Sequence, residues 1–437
     1  MTQPQIIGIS KAEIFPINNT QDGFSFKNGS PLIQFEIAPN QRLLDTTLLR
    51  LNFKFKLYQS DGIRYPNNQE CLSNHVAGTV QSGTETAATN SRVSVASVIQ
   101  TLRLKNFNEE LIEEIRDYSK MMASSLPVSN SMNDYRNRLS NKFKAFGKNP
   151  AQEVNDIMPR SVSMPLRAGI LSTGQPLDLL NQNGLKLDIL LSPDSFVIKG
   201  DANTSYKLEN VSLSFNYINL SAPMPPSNKP IGFPTYNSYN SVINSGNSQK
   251  SLNLNLSSVR NVFQNFIPAT FINNYAEDSL ETPKLRNTPY AAANDVEITE
   301  FSDLKNALKF PLKYSVQERD AVNNGVFPAH LYRNFVDSIK PFSKIENSLL
   351  SEVTESLNNA SSQAEQDLDN PDLGKNVYGL GLRLDTTNSG IGTNFKNQTF
   401  TKNIKSGLDG NSVNMSYVFT LSNQALAVRN QNVNPIM

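Results

Sequence analysis

Two histidines, one cysteine and a few clustered carboxylates are the residues of this chain with the most scope for chemistry. His75 sits in a polar stretch, and His330 opens a helical pattern just after Pro328. Neither has a second histidine or a carboxylate group at ligand spacing, so neither a zinc site nor a histidine-activated nucleophile is expected. Cys71 is the only cysteine, which excludes an intramolecular disulfide and leaves at most a bond to another chain. Asp178, Asp188, Asp194 and Asp201 crowd around one turn. A glycosidase pair or a calcium site would use such carboxylates. Asp188, however, takes an outward position in an alternating run, and the others fall where turns favour aspartate. The lack of tryptophan argues further against a sugar-stacking groove. Glu109, Glu110, Glu113 and Glu114 read as the solvated face of a helix. Gly379-Leu-Gly381 and Gly390-Ile-Gly392 lack the strand–loop–helix context and the third glycine of a phosphate cradle. No catalytic, cofactor-binding or metal-ligating residue is expected, no cofactor, and no enzymatic activity.

What these residues hang on is a long chain with a balanced surface. Its 437 residues suffice for two or three cores without a metal or disulfide. With 40 basic against 39 acidic residues there is neither a basic excess nor a basic stripe, so sequence-specific nucleic-acid binding is not expected. Only 18% of residues are charged; the polarity comes from Asn, Ser, Thr and Gln. Such a surface is buried between subunits at lower desolvation cost than one rich in Lys and Glu. The N-terminal Met1-Thr-Gln-Pro lacks signal-peptide features, and no run approaches the roughly 18 apolar residues of a membrane span. Synthesis in a host cytoplasm is expected.

The opening third is β in pattern. Ile33, Phe35 and Ile37 alternate, then Leu49, Leu51, Phe53, Phe55 and Leu57 alternate with Arg50, Asn52, Lys54 and Lys56. Period two over such a length means a strand with one buried and one wetter face. Residues 60–91 read as a long exposed loop, followed by a strand around 93–104. The period then changes. Asn108 is placed to cap a helix with Glu109 and Glu110 in its first turn and an apolar stripe of Leu111, Ile112, Ile115, Tyr118 and Met122. A second helix is expected at 131–145. Strands resume near 160–171, after the Asn183-Gly184 hairpin signal at 185–191, and at 205–220. Ser221–Pro234 carries five prolines, too many for a helix or an interior strand, and is taken as the connector between two domains. Beyond it the plan repeats: strands within 236–256, a helix at 258–266, an irregular acidic stretch at 276–303, a strand at 308–316, helix across 329–359, and strands near 377–384, 398–405 and 412–421. Many strands with helix between the middle ones describe an antiparallel β domain with a helical insertion.

Ile33-Gln-Phe-Glu-Ile37, the Leu44-Asp45 turn and Leu48-Leu-Arg-Leu-Asn-Phe-Lys-Phe55 resemble the first strands of the double jelly-roll major capsid proteins of tailless icosahedral DNA viruses: membrane-containing phages, virophages and polinton-like viruses. Pro176–Ser192, Tyr206–Tyr217, Tyr378–Asp385 and Asn414–Leu421 are similar to later strands of the same proteins. The resemblance lies in the order of elements across most of the chain, because no catalytic signature defines the family.

It implies a mainly β fold of two antiparallel eight-stranded jelly rolls side by side, each with a helical insertion in a loop. The expected organisation is an N-terminal arm at 1–20, a first jelly roll at 21–220, the connector at 221–235, a second jelly roll at 236–422 and a tail at 423–437. The implied function is a structural subunit of a viral capsid. Three copies would form a pseudo-hexameric trimer that tiles the shell, so the first partner is the chain itself. Further implied partners are penton and minor capsid proteins, and an internal membrane reached by the terminal arms; the implied location is the virion. A minor or penton capsid protein is the alternative within that class. A carbohydrate-binding or carbohydrate-active jelly-roll protein is the alternative outside it.

Overall fold

The computed structural model describes residues 4–18, 25–27, 31–58, 62, 87–89, 94–122, 160–200, 205–225, 231–243, 246–268, 297–303, 312–315, 337–339, 380–385, 392–396, 399–406 and 414–426. His75, His330, Cys71, Asp201, Gly379, Gly390 and the helix expected at 131–145 lie outside them. So does most of the helix expected at 329–359, of which 337–339 is helical.

The first half contributes eight principal strands: β1 (Ile6–Ile14), β2 (Leu32–Ile37), β3 (Leu43–Tyr58), β5 (Ile99–Lys105), β6 (Leu111–Arg116), β7 (Arg160–Pro165), β9 (Leu185–Leu191) and β11 (Ser205–Leu220). Three short ones, β4 (Ala87–Thr89), β8 (Leu177–Asp178) and β10 (Ile198–Gly200), add local pairs. The second half contributes β12 (Ile231–Ile243), β13 (Gly246–Asn253), β14 (Val259–Pro268), β15 (Glu297–Asp303), β16 (Leu312–Ser315), β17 (Leu380–Arg383), β18 (Thr399–Ser406) and β19 (Asn414–Leu426).

The strand orders identify the fold. In the first half the sheets run β1-β11-β3-β7 and β2-β9-β5-β6; in the second they run β12-β19-β14-β17 and β13-β18-β15-β16. Numbered one to eight within its own half, each pair of sheets has the order one-eight-three-six and two-seven-four-five. Every pairing is antiparallel. This is the jelly-roll winding, and it occurs twice. In both halves helical residues follow strand five, at 118–122 after β6 and at 337–339 after β16.

Alternation builds the first core as the sequence suggests. Leu49, Leu51, Phe53 and Phe55 of β3, Leu185, Leu187 and Ile189 of β9, and Leu213 and Phe215 of β11 are buried. Phe55 stacks on Tyr206 at 5.7 Å. The second core is smaller among the described residues, centred on Leu252, Val259, Val262, Phe400 and Val418.

Several expectations are corrected. Residues 111–116 form strand β6 rather than a helix; only 118–122 are helical. Asn108 caps nothing. The Asn106 side chain instead accepts the N–H groups of Asn108 and Glu110, and Glu109 takes a left-handed φ of 59°, so 106–110 turn back as a β5–β6 hairpin. Residues 259–268 are strand β14. Val259, Val262 and Phe263 mimic helical spacing because a bulge between Val259 and Asn261 shifts the pleat. Residues 297–303, read as irregular, form β15. The Asn183-Gly184 turn, with φ of 60° and 74°, joins no hairpin: β8 pairs with β3, whereas β9 pairs with β2 and β5. Residues 6–14 of the expected arm are strand β1, and 423–426 of the expected tail complete β19. The last five connector residues open β12, where Pro234 lies opposite Asn423. β12 is an edge strand, so the missing N–H breaks no second ladder.

Candidate functional site: the seam between the two sandwiches

The sheet β12-β19-β14-β17 is covered on both faces. Val259, Val262 and Val418 point into its own sandwich. Their neighbours in sequence, Phe263 and Phe419, point the other way and join the first half's core together with Phe233 and Tyr236. Phe263 and Phe419 meet at 5.3 Å between ring centres. One apolar cluster therefore runs from the first sandwich onto the outer face of the second, and the two halves are fused through side chains, with no backbone ladder shared between their sheets among the described residues.

The edge of this seam is polar and centred on Glu113. The residue lies on the same face of β6 as Ile115, the two standing opposite Leu104 and Leu102. Its carboxylate is buried, and its Oε1 accepts the N–H of Gly169 at 2.9 Å and of Tyr236 at 2.7 Å. Oε2 faces the N–H of Ile170 at 3.5 Å. The carboxylate thus clamps the 169–172 turn of the first half to strand β12 of the second. Burial pushes its pKa up to about 7, against the downward pull of those three backbone donors. Beside it, burial pushes the Tyr118 phenol up to about 12; its oxygen accepts the Arg167 N–H at 2.8 Å. Farther along, Arg116 N–H donates to Ser238 Oγ at 3.1 Å. β6 and β12 therefore meet edge to edge, running in the same direction. A cleft of about 360 Å³ lies between them.

Close approach at this seam requires glycine at one position. A Cβ on Gly169 would stand 1.9 Å from the Pro234 carbonyl oxygen. Its φ of −57° is ordinary, so the constraint is contact and not conformation.

Of the aspartates noticed in the sequence, the three described ones take separate partners. Asp178 accepts the N–H groups of Leu180 and Asn181. Asp188 pairs with Lys105 at 3.0 Å, and Asp194 accepts the Tyr206 N–H. No group of three metal-ligating side chains occurs among the described residues. The four glutamates of 109–114 are not one solvated face. Glu109 bridges Lys105 and Lys186, which hold its carboxyl below the usual range. Glu114 is pushed up by partial burial but held lower overall by Arg103 and Arg116. Glu113 alone is inside. The readable signal was the pair of apolar runs around Asn106-Phe-Asn108, a turn that places 113 on a strand. Gly381 lies in β17 opposite Phe263, and Gly392 packs its backbone on Val259.

The outer face of β1-β11-β3-β7, the matching sheet of the first half, carries polar side chains. Asn52 Nδ2 reaches Ser214 Oγ at 2.9 Å, Ser212 Oγ donates to Glu13, Arg50 Nε donates to Ser163 Oγ, and Lys56 pairs with Glu209. At its edge stand Ile6, Ile7 and Ile9, each about two-thirds exposed at 65%, 68% and 65%.

No protein-family model and no curated protein matches the sequence. Solved structures do. The Faustovirus major capsid protein is similar over 98% of this chain and 92% of its own, at 9% identity and a TM-score of 0.52. A chain from the Sputnik virophage matches over 100% and 92%, at 12% identity and a TM-score of 0.48. The mavirus major capsid protein matches over 96% and 89%, at 12% identity and a TM-score of 0.45. The twice-repeated strand order and the whole-length match to the first of these agree: this chain has the double jelly-roll fold of viral major capsid proteins.

Proposed function

We propose that the chain is a structural subunit of a viral capsid, built into the virion by packing against copies of itself. The observation that carries this reading is the repetition of one strand order in two sandwiches fused side by side. A chain with two similar bodies presents six of them when three copies close a ring, and a pseudo-hexameric trimer of that kind tiles the flat facets of an icosahedral shell. The surface composition supports it: Asn and Ser hydrogen-bonded along the outer sheet face make contacts that are individually weak and correctable during assembly. The chain's work is then interface formation, with penton and minor capsid proteins as further partners where facets meet.

The test is assembly of the purified full chain. A trimer of about 145 kDa, three times 48.5 kDa, that goes on to form shells or sheets of six-lobed capsomers supports the reading. A stable monomer that forms neither overturns it, and fivefold rings would point to a vertex protein instead.

A further inference from the structure

Among the described residues two carboxylates are buried, Glu113 and Asp385, and their surroundings are opposite. Asp385 lies 3.4 Å from the guanidinium of Arg260. No described lysine or arginine pairs with Glu113; its charge is favoured only by three backbone N–H groups, two from the 169–172 turn and one from β12. The titratable groups that face it from packed elements are Tyr118, just after β6, and Tyr236 of β12. Both phenols also feel Arg167, which precedes the turn. On its own strand, Glu114 and Arg116 point to the opposite face and bond to each other at 3.1 Å. The carboxylate also borders the cleft of about 360 Å³, whose β12 wall is Thr235, Asn237 and Ser238. Several water molecules fit such a volume, and that wall offers them hydroxyl and amide partners.

We propose that the seam is a proton-operated joint: protonated Glu113 keeps β12 and the 169–172 turn together, and loss of that proton draws water in from the cleft and parts them while both sandwiches stay folded. The inference goes beyond the capsid reading and stands apart from it. Ionised Glu113 keeps its three donors but has no counter-charge, and hydration is what its buried position denies it. The cleft is the shortest way to supply that hydration. The movement is confined to the polar edge. β12 stays in its own sheet through an unbroken register with β19 from Ile231 to Ile243. Phe233, Phe263 and Phe419 stay in the common core and act as the pivot. The direction follows from the proton balance. The closed joint holds the proton up to about pH 7, whereas a hydrated glutamate releases it near 4.5. The joint is therefore closed at acid pH, opens progressively as pH rises through that window, and gains no further opening above it. Tyr118 and Tyr236 titrate far higher, and Glu114 is held below its ordinary value, so among these groups the response belongs to Glu113.

Hydrogen exchange of the full chain, followed by mass spectrometry at pH 5, 6, 7 and 8 and corrected for the chemical exchange rate, reads the opening. Peptides carrying the amides of Gly169, Ile170 and Tyr236 should lose protection by about tenfold or more between pH 5 and pH 7. Peptides of β3 and β9 should keep theirs. In Glu113→Gln, which cannot ionise, the seam peptides should show no such loss. Wild-type seam protection that stays constant over this range would overturn the proposal. So would a loss shared equally by β3 and β9, or a Glu113→Gln chain that follows wild type. Where the variant does not fold, the infrared spectrum of wild type decides. The C=O stretch of a protonated carboxyl should persist above pH 5 and fade in step with the loss of protection; protection lost with no such band would refute the joint.

Discussion

Strands β12 and β1 occupy the same place in two copies of one topology, and their fates differ. β12 buries Phe233, Thr235 and Tyr236, whereas β1 leaves Ile6, Ile7 and Ile9 in solvent. Their sheets differ in the same sense. The outward positions of the second sheet hold Phe263 and Phe419 and belong to a core, while those of the first hold Asn52, which donates to Ser212 and Ser214, and Arg50, which donates to Ser163. Topology alone does not decide which face is wet. The side chains at alternate positions do: they are aromatic where the tethered other half packs, and polar on the matching face of the first sheet. A tethered neighbour can be met with large aromatic surfaces, because its effective concentration is set by the linker. A free one must be met by a surface that stays soluble while it waits.

The contrast can be broken by mutation, most strongly where the outward face is filled. Phe419→Ala should cost about 3–5 kcal/mol of folding stability, the range for emptying a buried aromatic site. Ile9→Ala, on the corresponding face of the first sheet, should stay within about 0.5 kcal/mol in the monomer. Chemical denaturation of the two variants side by side measures the difference. Equal costs would mean that the two faces are not distinguished as described.

The next effect depends on pH. Folded Glu113 keeps its proton up to about pH 7, while the unfolded chain releases it near 4.5. Folding therefore takes up a proton in that window, and stability falls as pH rises through it, by roughly 3 kcal/mol in total from this group. Tyr118 and Tyr236 titrate well above this range. Glu113→Gln should flatten the profile between pH 4.5 and 7 relative to wild type, and a variant profile parallel to wild type would remove Glu113 from the seam's proton balance.

Gly169→Ala should act through contact. Its new methyl must displace Pro234, for about 1–3 kcal/mol, in the range of overpacked sites. Hydrogen exchange should show the opening concentrated in β12 and the 169–172 turn; uniform loosening of both sandwiches would argue against a localised seam. Smallest is Asn52→Ala, which removes one bond of the open lattice and should change monomer stability by no more than about 1 kcal/mol. A thermal melt suffices to check it, and a severe loss would show that this face is structural rather than waiting for a partner.

How much of this was legible depended on how many faces of a strand meet water. β3, β9 and β11 have one wet face, so their alternation could be read directly. β6 buries Ile112 and Glu113 on opposite faces between the exposed Leu111 and Arg116, β14 buries Val262 and Phe263 likewise, and the pattern that remained imitated a helix. Glu113 was hidden for the same reason. A glutamate among three others reads as surface, and only the pairing of β6 with β5 and the arrival of β12 from the other half turn it inward. The seam is made by residues distant in sequence, Glu113 with Tyr236 and Gly169 with Pro234, and no local pattern carries such a contact.

A density map of the assembled particle, at a resolution that separates strands, tests the central claim most directly. Six sandwiches around each capsomer are predicted, joined in pairs by a seam between β6 and β12 of a single chain. Capsomers of fivefold outline, or a chain whose β6 and β12 lie apart, would contradict it.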